Sequence, residues 1–288
     1  MARLNARIET VESFAADAVA ALAAQQRAME GLDARIANLE RTQEIWSTMT
    51  YLRDAPVDEK ALVSVVLATR NRSGYLARAV GSVLAQSYPT WELLAVDDGS
   101  DDETFEVLEA FGDERIRCFP TPHRGLSAAR NRALSEASGD YVAYIDDDNT
   151  MHPDWLRSIV WAFTNWPHAD LLYGAVIIES CAESDEPGGR EAPWLWFVPY
   201  DRDELARNNL TDIGAVAHRA GLPEAVFDEE LDALADWDLL LRVADTHEPL
   251  VLPVVAGTYS TTAPHRLSDS TAQARALRRL RAKHKRVE

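Results

Sequence analysis

Tyr141-Val142-Ala143-Tyr144-Ile145-Asp146-Asp147-Asp148-Asn149 is the stretch on which the reading of this chain turns. A short apolar run, too brief for a stable helix and rich in residues that favour extended backbone, leads straight into three carboxylates. A strand buried on both faces has this composition. Adjacent carboxylates repel one another, and a hard divalent cation relieves that repulsion while leaving positions open for phosphate oxygens. An acidic turn ahead of a helix opened by His152-Pro153 is the competing reading, and the run alone does not separate the two.

Upstream, Leu62–Ala68, Trp91–Val96 and Arg115–Phe119 have the same short-strand character, so residues 141–145 form the fourth such run. Helical stretches separate them, at Ser73–Ala85, at 102–111 and at Leu126–Ala137, the last stopped by Gly139. Alternating strands and helices predict an α/β domain with a parallel sheet wrapped by helices. Ligands of such sheets bind at the carboxyl ends of the strands. Three more polar motifs fall there: Thr69-Arg70-Asn71, Asp97-Asp98-Gly99-Ser100, and Gly125 to Arg130-Asn131. In the last, glycine frees the backbone and Arg130 offers a fork for a phosphate or a base. Taken singly, each also reads as a turn or a helix cap.

Together and in this order, Val63–Arg70, Asp97–Ser100, Gly125–Asn131 and Tyr144–Asp148 resemble the nucleotide-binding half of the family 2 glycosyltransferases, a resemblance that extends over about residues 62–265. It implies the GT-A fold, a Rossmann-like, mostly parallel sheet flanked by helices. It implies a nucleoside-diphosphate-sugar donor, with uridine the first choice of base, and inverting transfer to a hydroxyl of a glycan or lipid-linked acceptor. By the same resemblance Thr69, Arg70 and Asn71 line the nucleobase pocket, Asp98 reads the base, and Arg130 lies near the base or diphosphate. Asp146 and Asp148 become the acids of a DxD motif, with Asp148 the direct ligand of Mn²⁺ or Mg²⁺ and Asp147 near the ribose. His265, in a closing loop at Tyr259–Ser268, would complete the metal shell.

Ala235-Asp236-Trp237-Asp238 resembles the family's acidic pair, which makes Asp236 the general base that takes the acceptor's proton. Two positions depart from the pattern: Asn149 stands where many members carry another Asp, and Ala235 replaces the first acid of the pair. Trp194, Trp196 and Trp237 are candidates to stack on an acceptor sugar, or plain core. Two other classes compete. A sugar nucleotidyltransferase would carry a Gly-rich loop with Arg and Lys after the first strand, which Arg70-Asn71-Arg72-Ser73-Gly74 does not match. A non-catalytic nucleotide-sugar-binding scaffold would be expected to have lost the metal acids or the base, and all are present.

Residues 1–52 differ in kind. Apolar residues recur at spacings of three and four from Leu4 through Ile8 and Val11 to Leu32, Ile36, Leu39 and Trp46, with Gln25 and Gln43 filling skipped positions. This heptad seam predicts a coiled-coil helix and a homo-oligomer, a dimer first. Residues 53–61 read as a linker, 62–271 as the transferase domain (62–150 for nucleotide sugar, 151–271 for acceptor), and 272–288 as a basic helical tail with a possible contact to anionic lipid. The net charge of -18 argues against a nucleic-acid partner. Cys118 and Cys181, widely separated, read as free thiols. No stretch has the length of a membrane span or the pattern of a signal peptide, so the expected location is the cytoplasm, peripheral at most to the inner membrane face.

Overall fold

The computed structural model describes residues 26, 29, 31–33, 35–179, 193–231, 233–261 and 270–284. The chain divides into two compact units, Met1–Ser47 and Thr48–Glu288. In the first, the described residues are helical and Met29, Leu32, Ile36, Leu39 and Trp46 are exposed.

The second unit opens with α1 (residues 48–54). It continues through β1 (Val63–Thr69), α2 (Ser73–Leu84), β2 (Trp91–Asp97), α3 (Thr104–Glu109), β3 (Ile116–Pro120), α4 (Leu126–Leu134) and β4 (Tyr141–Asp146). The strands β1 to β4 are parallel neighbours in the order β3-β2-β1-β4, as the alternation of strands and helices requires. Every residue of β1 and of β2 is buried. Their continuous runs of Val, Leu and Ala suit strands covered by helices on both faces.

The later part extends the same sheet. It comprises β5 (Thr150–Met151), α5 (Trp155–Asn165), β6 (Leu171–Glu179), β7 (Trp194–Trp196), α6 (Arg202–Arg207), a 3₁₀ turn (Ile213–Ala215), β8 (Val216–Arg219), α7 (Ala235–Ala244), β9 (Leu250–Ser260) and α8 (Ser270–Lys283). Strand β8 joins β4 antiparallel, β6 follows it antiparallel, and β9 pairs with β6 parallel. One core lies where α2 and α5 cover the sheet, around Leu76, Val80, Trp155, Ile159 and Phe163. The other lies where α4, α7 and α8 cover it, around Ala129, Leu239, Val243, Ala276 and Leu280.

Two of the expected segments, the linker and the basic tail, are packed against the domain. The linker is strapped down: Tyr88 Oη donates to the carbonyls of Asp58 (2.8 Å) and Ala61 (2.5 Å), and Arg157 donates to those of Leu52 and Ala55. Its polar residues hide backbone carbonyls that the domain's own donors satisfy. The basic tail is likewise part of the domain. Ala276 and Leu280 of α8 are buried, and Lys283 and His284 bind the buried carboxylate of Asp238 on α7. Lys283 and His284 thus have a partner within the domain. Among the described residues, no helix is long and apolar enough to cross a membrane.

Candidate active site

The site assembles where β1, β2 and β4 end. Asp147 turns inward, accepting a hydrogen bond from Thr69 Oγ1 (2.7 Å) with Arg72 Nε 3.9 Å away. Burial pushes its carboxyl up to about 7, reinforced by the charges of Asp148 and Asp146 and opposed by Thr69 and Arg72. Asp146 and Asp148, on either side, are only partly buried. Asn149 is buried, and its side-chain carbonyl accepts the backbone N–H of Ser260 (3.0 Å). The amide at this departure from the family pattern therefore ties the turn after β4 to the end of β9.

Arg130, on α4, is the electrostatic centre. Its Nη2 donates to Asp146 Oδ1 at 2.6 Å, and its guanidinium stacks on Phe227 at 5.0 Å. The Asn131 amide fixes that ring by exchanging two hydrogen bonds with the Phe227 backbone (2.9 and 2.8 Å). Burial would favour neutral Arg130, but the charges of Asp146, Asp236 and Asp212 outweigh it. Burial raises Asp236, with Arg130 pulling the other way. Burial and then the charges of Asp146 and Asp236 raise Asp212 well above the ordinary carboxylate range. Three acids thus share one cation, and burial raises the proton affinity of two of them, Asp212 and Asp236, the direction that suits a general base.

Asp236 sits in the first turn of α7. The residue before that helix, Leu234, adopts φ +58°, a left-handed conformation that costs a branched L-residue roughly 1–2 kcal/mol. Asn209 Nδ2 donates to Asp236 Oδ2 (3.0 Å), and Asn209 Oδ1 is buried with no hydrogen-bond partner among the described residues.

The loop after β2 forms a second wall. Asp98 is buried, with Oδ1 accepting the Arg124 N–H (2.7 Å) and Oδ2 accepting the Gly125 N–H (2.8 Å) and facing His123 Nδ1 (2.7 Å). The other His123 nitrogen meets Arg70 Nη1 at 3.0 Å. This chain of contacts joins the Thr69-Arg70-Asn71 and Asp97–Ser100 motifs to the loop before α4. Gly99 is required there: its φ is +72°, and a Cβ would stand 2.8 Å from the His123 backbone nitrogen. Asn71, at φ +53°, accepts the Asp101 N–H on Oδ1 (2.8 Å).

The expected donor-side residues therefore converge. Thr69 holds Asp147 by its hydroxyl and the Asp98 N–H by its carbonyl (2.9 Å), Arg70 reaches Asp98 through His123, Asn71 binds Ser100 and Asp101, and Arg130 binds Asp146, the chain neighbour of Asp147. The aromatic residues do not converge. Trp237 is 5% exposed in the core and its indole N–H donates to the Leu205 carbonyl (2.7 Å), so it is a packing residue and offers no face to an acceptor. Trp194 is 51% exposed and Trp196 half-buried on β7, beside β6. His265 lies outside the described residues. Sequence reading missed His123, Asn209 and Asp212. Only Asp212 left a local trace, as the cap of the 3₁₀ turn through Gly214 N–H (2.9 Å).

Among the described residues, no three His, Cys, Asp or Glu side chains form a closed metal cage. The donor set nevertheless fits an open site. Asp146 and Asp148 supply hard oxygens at the sheet mouth, and Mg²⁺ or Mn²⁺ binds through one or two carboxylates plus phosphate and water.

A model of the glycosyl transferase family 2 matches residues 64–230, more than half of the 288. The colanic acid biosynthesis glycosyl transferase WcaA of Escherichia coli K12 is 31% identical over 192 residues, covering 65% of this chain and 68% of that protein. The glucosyl-dolichyl phosphate glucuronosyltransferase of Haloferax volcanii is 36% identical over 137 residues, covering 46% of this chain and 44% of that one. The chain thus spans less than half of the length of the latter relative. The fold is that of Pyrobaculum calidifontis mannosyltransferase PcManGT, solved with GDP-Man and Mn²⁺ (TM-score 0.57, 19% identity, 88% of this chain and 74% of that one). It is also that of S. aureus TarS 1-349, solved with UDP-GlcNAc (TM-score 0.60, 19% identity, 77% and 66%).

Proposed function

Because the chain belongs to glycosyl transferase family 2, we propose that it transfers a sugar from a nucleoside-diphosphate sugar to a hydroxyl of a glycan or lipid-linked acceptor, with inversion at the anomeric carbon. The observation that carries this reading is the acid cluster around Arg130. It brings Asp146, from the donor half, into one electrostatic unit with Asp212 and Asp236, from the acceptor half.

In this reading Thr69, Arg70, Asn71 and Asp98 form the base pocket. Asp98 Oδ1 holds one backbone N–H and keeps a second acceptor site for a base donor. Asp147, held by Thr69, faces the ribose. Asp146 and Asp148, with His265, would hold Mn²⁺ or Mg²⁺, which would supply positive charge against the departing diphosphate.

The acceptor oxygen bonds to the anomeric carbon as the bond from that carbon to the phosphate oxygen breaks. The acceptor's proton passes to Asp236, whose burial has already raised its proton affinity. Asn209 orients that carboxylate. One displacement needs no nucleophilic carboxylate, and inversion follows. Trp194 and Trp196 offer apolar faces to acceptor sugars.

UDP and GDP sugars are the first donors to test, since the similar folds were solved with one of each. The assay is release of nucleoside diphosphate from UDP- and GDP-sugars with Mn²⁺, in wild type, Asp148→Ala and Asp236→Asn. Turnover with one donor, lost in both variants, supports the reading. Pyrophosphate release, or turnover indifferent to both substitutions, overturns it.

A further inference from the structure

We propose that the N-terminal segment pairs with a second copy of this chain as a parallel, in-register coiled coil. The inference goes beyond the seam read from the sequence because it assigns the partner's orientation and register.

The seam is uncovered. Leu32, Ile36, Leu39 and Trp46 are 54, 45, 69 and 62% exposed on a helix whose flanking e and g positions, Asp33, Arg35, Glu40 and Thr42, are polar. Their spacing puts Met29, Ile36 and Gln43 at the a positions and Leu32, Leu39 and Trp46 at the d positions of a heptad. A stripe this narrow fits one partner helix and is too thin to cover a sheet or a broad core.

The flanking charges choose the orientation. Arg35 takes a g position and Glu40 the following e position, and both are exposed. In a parallel, in-register pair each g residue meets the next e residue of the other helix, so Arg35 faces Glu40 of the second copy twice per dimer. By sequence Arg7 and Glu12 stand in the same relation one end further on. This register also stacks Gln43 on Gln43, where paired amides satisfy each other and penalise a slip. The competing antiparallel pairing sets Leu32 against Ile36. It then sets Arg35 beside Arg35 and Asp33 beside Asp33, two like-charge contacts in place of two attractive ones.

The test is sedimentation equilibrium of the full-length chain at low salt, as wild type and as three variants. All the changed side chains are exposed, so folding is not at stake. Wild type should be a dimer and Leu39→Asp a monomer. Arg35→Glu should weaken dimerisation about tenfold, by turning two attractions into two repulsions, and Arg35→Glu with Glu40→Arg should restore it to within about twofold. A monomeric wild type overturns the proposal. So does an Arg35→Glu dimer as tight as wild type or tighter, the latter being what relief of an antiparallel Arg35 contact would give.

Discussion

Replacing Arg130 with Met removes the one cation shared by Asp146, Asp212 and Asp236 while keeping most of the volume over Phe227. Breaking a buried ion pair costs about 3–5 kcal/mol, because the surviving charge is left uncompensated. The Asp146 side chain is 27% exposed and recovers some hydration, which puts the loss at the lower end, about 3 kcal/mol. The loss should depend on pH. Asp212 and Asp236 titrate higher folded than unfolded, so their contribution is fully present below the unfolded carboxylate pKa and declines as pH rises through the folded values. Without Arg130 the folded values climb further and the decline steepens.

Urea denaturation with EDTA should therefore show a deficit of about 3 kcal/mol near pH 8 that shrinks as pH falls and Asp212 and Asp236 take up protons. Arg130→Lys should keep much of the stability at the higher pH. An Arg130→Met deficit that does not change with pH would mean that only packing was lost, and it would refute the shared-cation reasoning.

Asp236→Asn should lower kcat by about 100-fold or more while leaving donor affinity by calorimetry unchanged, since general-base catalysis supplies about that factor. His123→Ala breaks the contacts between Arg70 and Asp98 and should weaken nucleotide binding without lowering the melting temperature much, because its ring is half exposed. Trp237→Ala should cost about 3–5 kcal/mol in thermal or urea unfolding, as large core deletions do, whereas Trp194→Ala should leave stability intact and raise the acceptor KM. Asp147→Asn removes a carboxyl held up to about 7 by burial, so the EDTA-treated variant should lose less stability than wild type as pH rises from about 5 to 8.

The nucleotide half was legible because each of its strands is a short apolar run ending in polar residues at the sheet mouth. The periodicity of Val63–Thr69 or Tyr141–Asp146 belongs to the strand itself. The acceptor half was not. Strand β8 is four residues, Val216–Arg219, with His218 inside it, and β9 contains Pro253 and Gly257, which read as turn signals in a linear scan. Gly257 is there because Thr150 of the neighbouring strand crosses so close that a Cβ would collide with its carbonyl.

The same distinction separates the site residues. Thr69, Asp98, Asp146 and Asp148 follow strands and could be placed by position. Asp212 and Asn209 acquire meaning only through Arg130 and Asp236, contacts across many residues that no spacing records. Trp237 looked available beside Asp236, but helical geometry turns its ring into the core.

A crystal soaked with Mn²⁺ and the donor that supports turnover, with diffraction measured at the manganese edge, tests the central claim most directly. An anomalous peak about 2.1–2.2 Å from carboxylate oxygens of Asp148 or Asp146, with the diphosphate on its far side and the anomeric carbon facing Asp236, is the expected result. Manganese elsewhere, or a nucleotide seated away from the ends of β1, β2 and β4, would contradict it.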